Sequence, residues 1–197
     1  MLTTSRNSVF HKSDDGLVVR SEDGTHVMLR GLTEHDSHIQ AEHLQRLTPE
    51  DRRMRFHNAM SDAALSNYTD HVDWRHALAY GAFVDGTLRG VSEMMLESGD
   101  EAEVSISIEK EYQRIGLGRI LVGAMILTGR NLGLKTLHMY YFRDNERMRA
   151  LARVMGARPT GVGNVMEGII RLDLAGSKEP SRMMRSVPGV THAPGNA

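Results

Sequence analysis

The chain has 197 residues, 40% of them hydrophobic and 25% charged, the make-up of one globular domain with a core of its own. A formal net charge of −1 provides no general attraction toward nucleic acid or an anionic membrane. The absence of cysteine excludes disulfides, thiolate metal sites and a cysteine acyl intermediate.

Residues 1–15 read as an irregular arm, residues 16–174 as the folded domain and residues 175–197, rich in Gly, Pro, Ser and charge, as a disordered tail. No apolar run approaches a membrane span and no signal-peptide pattern opens the chain, so a cytoplasmic location is expected. Gly16–Arg20 and His26–Arg30 flank Asp23-Gly24 and predict a hairpin. Thr33 caps a helix whose inner face carries Ile39, His43, Leu44 and Leu47. Thr48-Pro49 opens the next helix, with Pro49 at the first helical position. Arg52, Arg53 and Arg55 on that helix read mostly as a solvated face. Ser61–Thr69 reads as a loop or short helix. Leu78–Val84 and Gly90–Leu96, joined through Asp85-Gly86, form a second hairpin.

Ala102 to Leu132 is the informative stretch. Val104, Ile106 and Ile108 alternate with Glu103, Ser105 and Ser107, the period of a strand with two unlike faces. From Leu117 the apolar residues recur at helical spacing through Ile120, Leu121, Ala124 and Met125, and Gly133 ends that helix. Between strand and helix lies Gln113-Arg114-Ile115-Gly116-Leu117-Gly118. Two glycines leave backbone N–H groups uncovered at the positive end of a helix, and Arg114 and Arg119 add formal charge there. Such a turn suits a phosphate or pyrophosphate. The Gly-Lys-Ser/Thr ending of a nucleotide P-loop is absent, and Leu121 stands where a dinucleotide fingerprint needs a third glycine. After the helix come a parallel strand over Leu134–Tyr140, a helix opened by Asn145, the connector Gly156–Gly161 and a last strand over Val165–Leu174.

Gln-x-x-Gly-x-Gly in this strand–turn–helix setting resembles the pyrophosphate loop of the GNAT superfamily of acyl-CoA-dependent N-acyltransferases. The following strand, the Asn145-Glu146-Arg147-Met148 helix start and Met155-Gly156-Ala157-Arg158-Pro159 keep the family order. Leu47-Thr48-Pro49-Glu50 through Arg55-Phe56, and Val72-Asp73-Trp74-Arg75-His76, resemble segments of GNAT domains related to bacterial protein lysine acetyltransferases. The resemblance implies a mixed α/β fold: a mostly antiparallel sheet splayed between two parallel strands and flanked by helices. It also implies acetyl-CoA as cosubstrate, no metal, and an amine acceptor, either a protein lysine or a small amine. A non-catalytic acyl-CoA sensor is the competing reading.

Carried over by the resemblance, the backbone of Ile106, Ser107 and Ile108 would bind the pantetheine arm. The N–H groups from Arg114 through Ile115, Gly116, Leu117 and Gly118 to Arg119 would hold the pyrophosphate, after Gln113. One central-strand N–H would polarise the thioester oxygen. Asn145 would meet the arm from the far side as well as cap its helix, and Arg149 would contact the adenosine phosphate. Glu103 would serve as the base, with Glu93 in reserve and Glu97 weaker. Many family members carry a tyrosine seven residues after the helix-start asparagine to protonate the thiolate; here that position is Ala152, leaving Tyr140, Tyr141 or solvent. His71 and His76 would border the acceptor cleft, and the remaining histidines read as solvated or hydrogen-bonded.

Overall fold

In the computed structural model, residues 16–172 are described; the expected arm, the tail and the last two residues of the expected domain lie outside them. Strands β1 (Leu17–Arg20) and β2 (His26–Leu32) pair antiparallel, burying Val19, Val27 and Leu29. A single 3-10 turn over Glu34–Asp36 leads into α1 (Ser37–Arg46), and the Asp36 carboxylate turns back to accept the Thr33 N–H at 2.9 Å. Helix α2 (Pro49–Phe56) starts where the sequence places it: Thr48 Oγ1 accepts the Asp51 N–H at 3.1 Å and Pro49 needs no partner for a missing N–H. The stretch read as a loop or short helix is α3 (Asp62–Asp70), capped by Ser61.

Strands β3 (Ala77–Val84) and β4 (Thr87–Leu96) meet at Asp85-Gly86, both with positive φ (49° and 75°), the mirror-image turn that matches strand twist. Then follow β5 (Glu101–Ile108), α4 (Leu117–Asn131), β6 (Thr136–Phe142), α5 (Glu146–Val154), β7 (Arg158–Thr160) and β8 (Val165–Arg171). The sheet runs β1-β2-β3-β4-β5-β6-β8-β7, antiparallel except for β5–β6, which α4 connects as a crossover. This is the expected mixed, mostly antiparallel sheet. Strand β7 was not expected; three residues are too few for alternation to show, and Pro159 is tolerated because β7 lies on the sheet edge.

Alternation decides which helices cover which face. Ala102 and Val104 point to α4 and α5, packing with Val122, Met125, Leu137, Met139 and Ala152. The opposite face carries Ser105 and Ser107 and lies under α1–α3, whose own core is Leu44, Leu47 and Leu65. No helix among the described residues is long and apolar enough to cross a membrane.

Candidate functional site

The parallel ladder between β5 and β6 is short. It joins only Glu101–Glu103 to Thr136–His138; beyond it β6 continues to Phe142 along β8, and β5 continues to Ile108 along β4. Val104–Ile108 thus present an open edge toward β6, a row of backbone donors and acceptors available to another extended chain. The gap widens into a cleft of about 540 Å³, walled by α2 (Asp51, Met54, Arg55) and by α5 (Asn145, Arg147, Leu151).

At its outer end the cleft meets the glycine loop. Gln113 donates its side-chain N–H to the Ile108 carbonyl at 2.9 Å and ties the loop to the strand end. Arg114 (φ 63°) and Gly116 (φ 90°) both take the left-handed conformation, which turns successive amides into a concave nest. Arg114 carries a Cβ in that conformation, a cost of about 1–2 kcal/mol that marks a functional turn. No described group accepts a hydrogen bond from the N–H groups of residues 114–118; only from Arg119 onward do the amides turn back to the Gly116 carbonyl. A Cβ on Gly118 would come within 3.2 Å of Leu151 on the facing helix, so that glycine keeps the mouth open. The Leu117 side chain is buried beneath the loop.

Two carboxylates guard this mouth. Glu22, in the β1–β2 turn, donates its N–H to the Ile115 carbonyl (2.8 Å) and pairs its Oε1 with Arg119 at 2.6 Å. Asp51 on α2 pairs with Arg147 on α5 at 2.9 Å, and Gln113 also contacts Arg147, so a polar strap spans the cleft. Neither was anticipated, because Glu22 and Asp51 lie far in sequence from the loop they touch.

Of the expected binding residues, Ile106, Ser107, Ile108, Gln113, Arg114, Gly116, Gly118, Arg119 and Asn145 line the cleft. Ile115 and Leu117 face away from it and offer only backbone. Asn145 accepts the Met148 N–H at 3.0 Å and caps α5. Arg149 does not come to the cleft: it projects from the other side of α5, beside Arg143 and Arg153, and Arg147 occupies the position toward the loop. Glu103 is half-buried on the same β5 face as Ser105 and Ser107, opposite His138 where the ladder closes, at the inner end of the open edge rather than along it. Ala152 is buried in the core. Tyr140 and Tyr141 both reach the cleft from β6, and Tyr140 donates to Glu167 at 3.2 Å. His71 and His76 are exposed and bonded to the Asn67 carbonyl and to Asp73, away from the cleft.

The α1–α2 wall holds two side-chain networks. In the first, Arg55 is not solvated; it is buried against the Glu93 carboxylate, which also accepts Gln40 Nε2 at 2.7 Å and the Tyr68 hydroxyl at 3.2 Å. Burial beside that carboxylate pushes the Tyr68 phenol up to about 12. Arg52 likewise pairs with Asp62 at 2.7 Å, while Arg53 lies over the Phe142 ring. In the second network, His43 is fully buried, with Nε2 2.9 Å from Ser107 Oγ and Nδ1 3.2 Å from Glu109 Oε1. Glu109 also receives Arg46 Nε at 2.8 Å and Arg89 Nη1 at 2.9 Å. Burial would raise the Glu109 carboxyl, but the bonds from His43, Arg46 and Arg89 outweigh it and hold it at about 2. Burial drives His43 the other way, below its ordinary value, against the opposing pull of Glu109.

An open strand edge thus leads into a nest of unpaired amides, an arrangement suited to an extended polar arm that ends in a phosphate or diphosphate. The model of the acetyltransferase (GNAT) family matches residues 41–157. The Pseudomonas aeruginosa acetyltransferase PA5475 is 31% identical over 161 residues, spanning 77% of this chain and 86% of that one. The chain belongs to the GNAT acetyltransferase family. Among solved structures, the GNAT domain of S. lividans PAT superposes with a TM-score of 0.72 at 18% identity, covering 82% of this chain and 99% of the other. Spermidine N-acetyltransferase from Vibrio cholerae, in complex with CoA and spermine, gives 0.60 at 19% identity, covering 74% and 95%. At those identities the likeness concerns the fold.

Proposed function

We propose that this GNAT acetyltransferase takes acetyl from acetyl-CoA and transfers it directly to a lysine side chain of a protein. The observation that carries the cosubstrate is the continuity of the open β5 edge with the unpaired amides of residues 114–118. The nest and Arg114 suit a diphosphate, with Arg119 joining once it leaves Glu22. The open edge of Val104–Ile108 suits the two amides of a pantetheine arm laid down as a strand. Bound acetyl-CoA supplies an activated thioester; the protein supplies alignment, which accounts for much of the rate in a direct transfer. An N–H of the open edge polarises the thioester oxygen. Glu103, at the inner end of that edge, takes the proton of the incoming ammonium, directly or through a water.

The protein-lysine reading is supported by the Leu47–Phe56 and Val72–His76 segments and by the fold likeness to the S. lividans PAT domain. The likeness to spermidine N-acetyltransferase favours a second reading, a small polyamine acceptor. Thiol release from acetyl-CoA, measured against lysine peptides and spermidine in parallel, separates the two. Faster turnover with the peptides is expected; turnover with spermidine alone overturns the lysine reading, and binding without release to any amine overturns transfer.

A further inference from the structure

On the walls of the cleft Arg46, Arg52, Arg55, Arg119 and Arg147 each pair with a carboxylate. Behind α5 the pattern reverses. Arg143, Arg149 and Arg153 border a second cavity, of about 400 Å³, and none of them pairs with a carboxylate among the described residues. Asp144, next to Arg143 in the chain, pairs with Arg53 of α2 at 3.7 Å instead. Two of the three arginines are nonetheless held in place. Arg143 Nε donates to the Gly163 carbonyl at 2.8 Å, and Arg149 Nη1 approaches the Arg143 carbonyl at 3.5 Å. Both Nη groups of Arg143, Nε and Nη2 of Arg149 and the whole Arg153 guanidinium then have no acceptor among the described residues. Arg149 and Arg153 stand one turn apart on α5, a like-charge spacing that weakens a helix until an anion lies between them. The floor of the cavity is apolar, made of buried Tyr141, Ala152 and Ala157 with Met166 of β8. Three guanidinium forks without a counter-charge suit a phosphate monoester better than a carboxylate. The phosphate carries close to two charges on three terminal oxygens and can engage all three forks, whereas one carboxylate fills one. The volume exceeds a bare phosphate and falls in the range of small-molecule sites, and the floor gives a carbon skeleton a surface to lie on.

We propose that the cavity behind α5 binds a small organic phosphate of about mononucleotide size, its phosphate held by Arg143, Arg149 and Arg153 and its body resting on Tyr141, Ala152 and Met166. The site is separate from the acetyl-CoA cleft. On α5 the cleft is lined by Arg147, Met148 and Leu151, and the cavity by Arg149, Ala152 and Arg153; Tyr141 of β6 borders both. The proposal therefore stands apart from the reading of the cleft.

The test is calorimetric titration of the full chain at low salt with uridine monophosphate, inorganic phosphate and succinate. Saturable one-to-one binding is expected for the mononucleotide, weaker binding for inorganic phosphate, and the weakest for the dicarboxylate. Mononucleotide binding should persist when the cleft is saturated with acetyl-CoA. Arg149 and Arg153 are exposed, so a variant carrying Arg149→Gln and Arg153→Gln should melt as the wild type does. That variant should lose mononucleotide affinity by at least about tenfold. Arg149→Lys, which keeps the charge without the fork, should show an intermediate loss. No saturable binding of any probe overturns the site, and succinate binding as tightly as the mononucleotide overturns the phosphate class. Unchanged affinity in the double variant, or displacement by acetyl-CoA, places the phosphate in the glycine loop and overturns a second site. A further arm compares CoA with dephospho-CoA. The double variant should keep the wild-type ratio of their affinities; a changed ratio assigns the arginines to the ribose phosphate of CoA and also overturns a separate site. Failure of the wild type to bind acetyl-CoA counts against the cleft reading alone, because mononucleotide binding to wild type and variant is scored without it.

Discussion

The two walls of the cleft are built by different means. The loop wall is a backbone device: residues 113–119 are consecutive, and their value lies in amides left without partners. The α1–α2 wall is a side-chain device, assembled from residues distant in sequence: Arg55 meets Glu93 across 38 positions, and His43 meets Glu109 across 66. One wall works by leaving polar groups open, the other by satisfying and burying them. An open backbone nest adds little to stability and is free to bind; a buried ion pair contributes to the fold chiefly in that removing half of it is expensive. Substitutions on the loop wall should therefore change ligand affinity, and those on the helix wall should change folding.

The largest effect that sharpens this contrast is Glu93→Ala. It leaves the buried Arg55 guanidinium without its carboxylate, and destabilisation of about 3–5 kcal/mol is expected in urea unfolding. A loss under 1 kcal/mol would mean that the pair is open to water. Next is pH. His43 is held neutral by burial in the fold, but the unfolded chain takes up its proton near 6.5. Below that value the unfolded state binds more protons, so stability should fall as the pH drops from 7 toward 5, at a slope of up to about 1.4 kcal/mol per pH unit. Glu109, held at about 2 against an ordinary 4.5, adds a further loss only as the pH falls from about 4.5 toward 2. His43→Gln should flatten the first segment and shrink the second, because His43 is one of the three donors that hold Glu109 down. Arg114→Gly should separate the two properties within one residue. It relieves the left-handed strain, raising stability by about 1 kcal/mol, and it weakens acetyl-CoA binding by removing a charge from the nest. The smallest effect is Glu22→Gln. It frees Arg119 from an exposed ion pair worth about 0.2–1 kcal/mol, so acetyl-CoA affinity should rise by up to about fivefold in a calorimetric titration.

The same division explains what was legible in the sequence. Features set by neighbours along the chain were: the Asp85-Gly86 turn, the Thr48-Pro49 helix start, the Asn145 cap and the whole Gln113–Arg119 loop depend on local backbone chemistry. The splay followed from the resemblance that the loop motif supports. What could not be read depended on which helix face meets the sheet. Arg55 looked like a solvated charge because α2 carries three arginines in a row of four, and nothing local says that Glu93 waits beneath one of them. Arg149 and Arg147 are two residues apart on α5, and only the docking angle of the helix decides that Arg147 meets the loop. Glu109, which follows directly after the last residue of β5, gives no sign in sequence of the histidine and two arginines it holds.

The central claim is that the bare amides of residues 114–118 hold the diphosphate of acetyl-CoA. Calorimetric titration of the full chain and of Gly118→Glu with acetyl-CoA tests it directly. Glutamate there brings a side chain against Leu151 and a negative charge into the nest, so the wild type should bind saturably and the variant should lose at least about a hundredfold in affinity, equivalent to about 2.8 kcal/mol. Equal affinity in a variant that remains folded would contradict the claim and place the diphosphate elsewhere.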